Sequence, residues 1–330
     1  MLALISSVLL ASILKTCTSA DWCYQTQVTC ESHCKGPDLW HEVHRDCMSY
    51  RQSPINIVTK KTRLDPRLTP LEFNGYQEAF NGILKNNGHS VMVSVPHMAT
   101  VRGGDLRATY RAVQFHFHWG ENGGPGSEHT IDGEQYPMEL HIVHMRQEYS
   151  SLQDALKDPS GVAVLGFFYE ESRSSNRKYD GFIEALNNVE HTNDNTTIRS
   201  ISLSNLILSE GNMTKYYRYN GSLTTPHCTE AVVWTVFENP IPLSKDQLSA
   251  FSKLKFHDGK PMVKTFRPVQ PHKGRFVHRS GSAVFLASFT LLLASVLESV
   301  WGLLSVNGCL DALKQDGHCT LRRTFKGELL

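Results

Sequence analysis

The sequence predicts a mainly β fold, a single domain on a large, mostly antiparallel twisted sheet with a few short peripheral helices. Three observations carry that expectation. Short strand-like runs dominate the middle of the chain, and 23 glycines and 14 prolines punctuate them. Helical stretches are few and short. No linker stands out between Asp21 and Arg279, and one all-β domain of that size is ordinary.

The elements follow in chain order. Residues 1–20 read as a signal peptide, because Met1 to Leu14 is almost wholly apolar and Thr18-Ser19-Ala20 are small residues suited to cleavage. Ser90 to Val95 alternates polar and apolar residues, as a half-buried strand does. Ala112 to Trp119 and Met138 to Met145 also read as strands. Val162 to Tyr169 and Ala231 to Phe237 are continuous apolar runs, the pattern of strands buried on both faces. Tyr179 to Asn188 and Lys245 to Leu254 read as helices, the second with Ser244 as its N-cap. The domain is expected to span residues 21–279.

Residues 280–330 read as a membrane-anchoring segment with a polar tail. Ser280-Gly281-Ser282 precedes the apolar run Ala283 to Leu297, as in a signal for a glycolipid (GPI) anchor. The alternatives are a single span over Ala283 to Val306, interrupted by Glu298, and a buried C-terminal helix.

Of the 330 residues 40% are hydrophobic, and the formal charge is +1, which gives no reason to propose a nucleic-acid partner. Eight cysteines fit an oxidising compartment, as do the sequons at Asn195 and Asn212. Spacing alone leaves the cysteine pairing open. A third sequon, Asn220-Gly221-Ser222, adjoins the candidate site and is not expected to be modified.

The densest chemical signal is Gln114-Phe115-His116-Phe117-His118-Trp119-Gly120. Side chains alternate faces along a strand, so His116 and His118 share one face while Phe115, Phe117 and Trp119 enter a core on the other. Glu139, His141 and Val143 share a face of a second strand. If the two strands pair antiparallel, His141 reaches the same ion as His116 and His118. Three neutral imidazoles and an open position describe a catalytic zinc site, and the absence of nearby cysteine ligands argues against a structural one. Gln114 and Glu139 lie on the ligand faces, placed to bond the second ring nitrogens. His144 is an odd step from His141 and reads as a packed core histidine.

Several motifs in order resemble the α-type carbonic anhydrases: Gln52-Ser53-Pro54-Ile55-Asn56-Ile57, Asn86-Asn87-Gly88-His89, the Gln114–Gly120 strand, Gly126-Ser127-Glu128-His129, Glu139-Leu140-His141 and Gly221-Ser222-Leu223-Thr224-Thr225-Pro226. The resemblance covers Trp22 to near Arg275. Trp22-Cys23-Tyr24, Cys34, Cys47 and Cys228 place it nearest the membrane-anchored members. It implies the α-carbonic anhydrase fold and hydration of carbon dioxide to bicarbonate by zinc hydroxide. It implies Zn²⁺ on His116, His118 and His141, and His89 as proton shuttle. Thr224 would take a hydrogen bond from the hydroxide and donate one to Glu128. Val143, Val164, Leu223, Thr225, Val232 and Trp234 would line the substrate site, and Tyr24 and Asn87 would order its water. It implies disulfides Cys23–Cys34 and Cys47–Cys228, with Cys30 unpaired or replacing Cys34. Location would be the outer face of the plasma membrane, with bicarbonate transporters as candidate partners. Departures from the family pattern are His227-Cys228 after Pro226, Met92 on the cavity wall, and Thr265-Phe266 before Arg267-Pro268.

Two rivals use the same residues. A cupin-type oxygenase also places His-x-His on a strand, but Glu121 follows His118 too closely. A non-catalytic binding module of the same fold would have lost a ligand, and here none is missing.

Overall fold

The computed structural model describes residues 21–29, 34–96 and 98–281. The expected signal peptide, Cys30, the apolar run from Ala283 and the cysteines beyond it lie outside the described residues. Among the described residues no helix is long and apolar enough to cross a membrane.

Among the described residues fifteen strands form: β1 Asn56–Ile57, β2 Arg63–Leu64, β3 Leu71–Asn74, β4 Phe80–Asn86, β5 Val91–Ser94, β6 Thr100–Gly103, β7 Tyr110–Trp119, β8 Thr130–Ile131, β9 Glu134–Gln135, β10 Met138–Arg146, β11 Val162–Ser172, β12 Asn195–Ile201, β13 Tyr216–Gly221, β14 Val232–Ser244 and β15 His278–Arg279. Twelve belong to one sheet, ordered β12-β4-β5-β7-β10-β11-β14-β13-β15-β2, with β6 pairing β7 and β3 pairing β6. Its pairs are antiparallel except β11 with β14 and β15 with β2. β1, β8 and β9 make a small separate sheet. The short helices are α1 Trp40–Val43, α2 Leu152–Ala155, α3 Asp180–Leu186, α4 Leu203–Leu206 and α5 Lys245–Ala250.

The expected strands are all present, though β14 runs on to Ser244, well past the expected Phe237, and β10 and β11 pair along nearly their whole length. Both predicted helices form but stop early. Ser244 accepts from the Gln247 backbone, and the Gln247 side chain returns the bond, so a reciprocal cap starts α5.

Alternation along β7 divides its side chains. Phe115, Phe117 and Trp119 are buried against Phe182 of α3 and Phe251 beyond α5. Each such ring contributes on the order of 2 kcal/mol through burial. The opposite face carries the histidines. There Val143, Val164, Val232 and Trp234 form a second apolar cluster beside them. The sheet is thus apolar on both sides, which is why its central strands lack a clean polar–apolar alternation.

Two disulfides brace the periphery. Cys23 pairs with Cys34, and Cys47 pairs with Cys228 across 181 residues. The second ties the N-terminal arm to the loop carrying Thr224. That loop is strained, with His227 at φ 81° and Cys228 at φ 48°, so a covalent tether at Cys228 helps hold it.

Candidate metal centre

Strand register assembles three imidazoles. His141 lies directly opposite His116, and Glu139 lies opposite His118. Each of His116, His118 and His141 offers one ring nitrogen, and these atoms lie within 4.8 Å of one another. His118 and His141 are buried, and His116 is half-buried. A break in register between Val143 and His144 follows the pair.

The other nitrogen of each ring is already bonded. His116 Nδ1 pairs with Gln114 Oε1 at 2.9 Å. His118 Nδ1 pairs with the Thr265 carbonyl at 2.6 Å, and His141 Nε2 pairs with Glu139 Oε1 at 2.8 Å. Each acceptor requires the proton on its own side of the ring, which leaves His116 Nε2, His118 Nε2 and His141 Nδ1 as lone-pair donors. His118 Nε2 is buried with no hydrogen-bond partner. An orphaned imidazole nitrogen aimed at two others fits a divalent metal such as zinc. A second cluster, His129, Glu139 and His141, is instead a hydrogen-bond chain: His129 Nδ1 bonds Glu139 Oε1 at 2.7 Å, and His129 Nε2 meets Tyr219 Oη at 2.7 Å.

Burial sets the charges. Desolvation holds His116 well below the ordinary histidine range, with His118 and His141 adding to the effect. It pushes His118 down to about 3. His141 is also lowered by burial, against the pull of Glu139. All three are neutral at pH 7, the form that binds metal. Glu139 carries the negative charge: burial opposes it, but His129 and His141 hold it well below the usual carboxylate range. It also accepts the backbone N–H groups of Glu128 and His129 at 2.9 and 2.8 Å.

Glu128 stands above the triad, its Oε2 3.4 Å from His118 Nε2. With His118 neutral this is a contact rather than an ion pair. Burial pushes the Glu128 carboxyl well up, and bonds from the Arg267 N–H and the Thr224 hydroxyl oppose that. The Arg267 N–H reaches Glu128 Oε1 at 2.8 Å.

Residues 35–281 match the description of the eukaryotic-type carbonic anhydrases. The chain belongs to that family. It is 39% identical to carbonic anhydrase 4 of Rattus norvegicus, over 87% of this chain and 94% of the relative. It is 42% identical to carbonic anhydrase 4 of Oryctolagus cuniculus, over 79% and 85%. It is 35% identical to carbonic anhydrase 15 of Mus musculus, over 88% and 92%. As a carbonic anhydrase it interconverts carbon dioxide and bicarbonate, and the family is zinc-dependent.

The remaining expected site residues of this carbonic anhydrase fall as follows. Val143, Val164, Val232 and Trp234 are buried in one cluster, with Leu223 packed on it. Trp234 lies edge-on to His141 at 4.8 Å between ring centroids. Thr224 is buried and Thr225 half-buried beside it. Gly221 allows the loop to approach: a Cβ there would stand 2.1 Å from Ser53 Oγ, the oxygen that receives the Ser222 N–H.

Tyr24 is buried with its hydroxyl unpartnered, and burial raises its pKa, helped by the nearby Glu128 charge. Asn87 is exposed, and its Oδ1 accepts the N–H groups of His89 and Ser90, so this oxygen shapes the turn carrying His89. His89 stacks on Trp22 at 3.8 Å. Desolvation, with His257 adding to it, pushes His89 down to about 4.

Three contacts were not read from the sequence. The Thr265 carbonyl and the Arg267 N–H are main-chain groups, which carry no side-chain signature. The Thr265 carbonyl serves His118 from 147 residues away. The third is His129, whose ring bridges Glu139 and Tyr219.

Proposed function

We propose that the chain hydrates carbon dioxide with zinc held by His116, His118 and His141, at the outer cell surface, with His89 as the proton shuttle. One observation carries this reading: three imidazole nitrogens converge, with no hydrogen-bond partner among the described residues, while the other nitrogen of each ring is bonded. Zinc supplies a water acidic enough to yield hydroxide at neutral pH, the established behaviour of this family.

The protein's residues do the rest. Gln114, Glu139 and the Thr265 carbonyl fix the rings and their tautomers. We assign the Thr224 proton to Glu128, whose Oε2 has no other partner among the described residues, which leaves the Thr224 oxygen to accept. Thr224 would thereby orient an oxygen nucleophile beside it, accepting its hydrogen bond so that a lone pair would face the substrate carbon. Glu128 must be ionised for this: burial opposes that state, and the Arg267 N–H at 2.8 Å favours it. Val143, Val164, Val232, Leu223 and Trp234 offer carbon dioxide an apolar wall from which water is excluded.

His89 completes the cycle by moving a proton outward. Stacked on Trp22 it stays neutral at pH 7, since its pKa there is about 4. To carry the proton to buffer the ring would have to leave that stack, since an unperturbed histidine titrates at about 6.5. Export is supported by the two disulfides and by the exposed side chains of Asn195 and Asn212. Attachment through a lipid anchor on residues 280–330 is the reading we adopt, and release from cells by a phosphoinositide-specific phospholipase tests it.

Stopped-flow hydration before and after chelation tests the reaction. Activity is expected to vanish with zinc and return on its addition. Full activity in verified metal-free protein, or iron with oxygen uptake, contradicts the proposal. His89→Ala is expected to slow turnover mainly in weak buffer, with rescue by imidazole.

A further inference from the structure

A second charged cavity lies on the far side of β13 and β14 from the triad. Trp234, which packs on His141, pairs across the sheet with Tyr219. Their neighbours Arg218 and Thr235 pair with each other and so face the opposite way. Arg218 lines a cavity of about 420 Å³ together with Asp65, Arg67, Asp105, Arg107 and His278.

The charges there do not balance. Asp65 is consumed by Arg67, whose Nη2 lies 2.7 Å from its Oδ2. Asp105 also faces Arg67, at 3.6 Å. Arg51 at the rim is answered by Glu230 at 3.5 Å. Two guanidinium groups remain without an ion pair among the described residues. Arg107 is exposed. Arg218 is only 8% exposed and is fixed by Thr235 Oγ1 at 3.1 Å and the Gly104 carbonyl at 2.7 Å. Its Nη2 is buried with no partner.

Asp65 and Asp105 act on Arg218 only at a distance, so no carboxylate bonds its Nη2, and a buried cation without a bonded counter-charge is costly in a way a neutral water does not cancel. The held geometry also means that Arg218 loses little freedom on meeting an anion. We propose that this cavity binds a small inorganic oxyanion of the sulfate or phosphate type, with Arg218 as its anchor and Arg107 as its outer contact. The cavity is separate from the metal centre, so its occupancy does not compete with substrate.

Calorimetric titration with sodium sulfate, at ionic strength matched with sodium chloride, tests this. The wild type is expected to show one saturable site. Arg218→Met should raise the Kd at least tenfold while keeping hydration activity, and Arg107→Gln should raise it several-fold. His116→Ala, which alters the metal centre, should leave it unchanged. No saturable binding in the wild type overturns the proposal. An unchanged Kd in Arg218→Met does so too, as does loss of binding in His116→Ala. If Arg218→Met does not fold, the exposed Arg107→Gln decides, and an unchanged Kd there is equally fatal.

Discussion

His141 and His144 sit three residues apart on β10, and both are buried, yet their chemistry differs. His144 uses both nitrogens: Nε2 meets Tyr76 Oη at 2.6 Å, and Nδ1 meets the Ile142 carbonyl at 3.0 Å. His141 bonds Glu139 through Nε2 and leaves Nδ1 facing His116 and His118. Burial lowers the pKa of both, so a depressed value does not mark a ligand. What marks it is a nitrogen left uncommitted where two others converge. The pleat produces the difference, turning the two side chains to opposite faces of one sheet.

The comparison breaks most severely at the ligand itself. His141→Ala is expected to lose zinc and to reduce hydration by about a thousandfold or more, whereas His144→Gln keeps one zinc per chain; elemental analysis with stopped-flow rates checks both. Equal zinc content in the two variants would erase the distinction. Thr224→Val should retain zinc yet slow hydration by about a hundredfold, because the hydroxide loses the acceptor that orients it.

Glu139→Gln tests whether the second nitrogen matters. It should weaken zinc about 10- to 100-fold without emptying the site at saturating metal, as competition with a chelator would report. The smallest effect concerns His144. Its folded pKa is about 4, below the ordinary 6.5. Between those values the unfolded chain binds a proton that the folded chain does not. Stability from this residue is therefore complete above pH 6.5 and is lost as pH falls toward 4. Urea unfolding should show His144→Gln losing about 2 kcal/mol less than wild type between pH 7 and pH 4.5. Identical losses would remove His144 from the account.

Much of this was legible because it depends on alternation within one strand. His116-Phe117-His118 announces both a polar face and a core face, and each is present. Ser244 announced the start of α5 through its own side chain. The parallel pairing of β11 with β14 was not legible, since two apolar runs carry no direction. β4, with Asn81 and Gly82 near its start, lacks a strand-like composition there and depends on its neighbours in the sheet. The contact of Thr265 with His118 spans 147 residues and uses a carbonyl, so no local pattern foretells it.

X-ray absorption at the zinc edge of the purified protein tests the central claim most directly. The account predicts three imidazole nitrogens and one further light-atom ligand at about 2.0 Å, with no sulfur. A spectrum with a sulfur shell, or with fewer than three imidazoles, would contradict it.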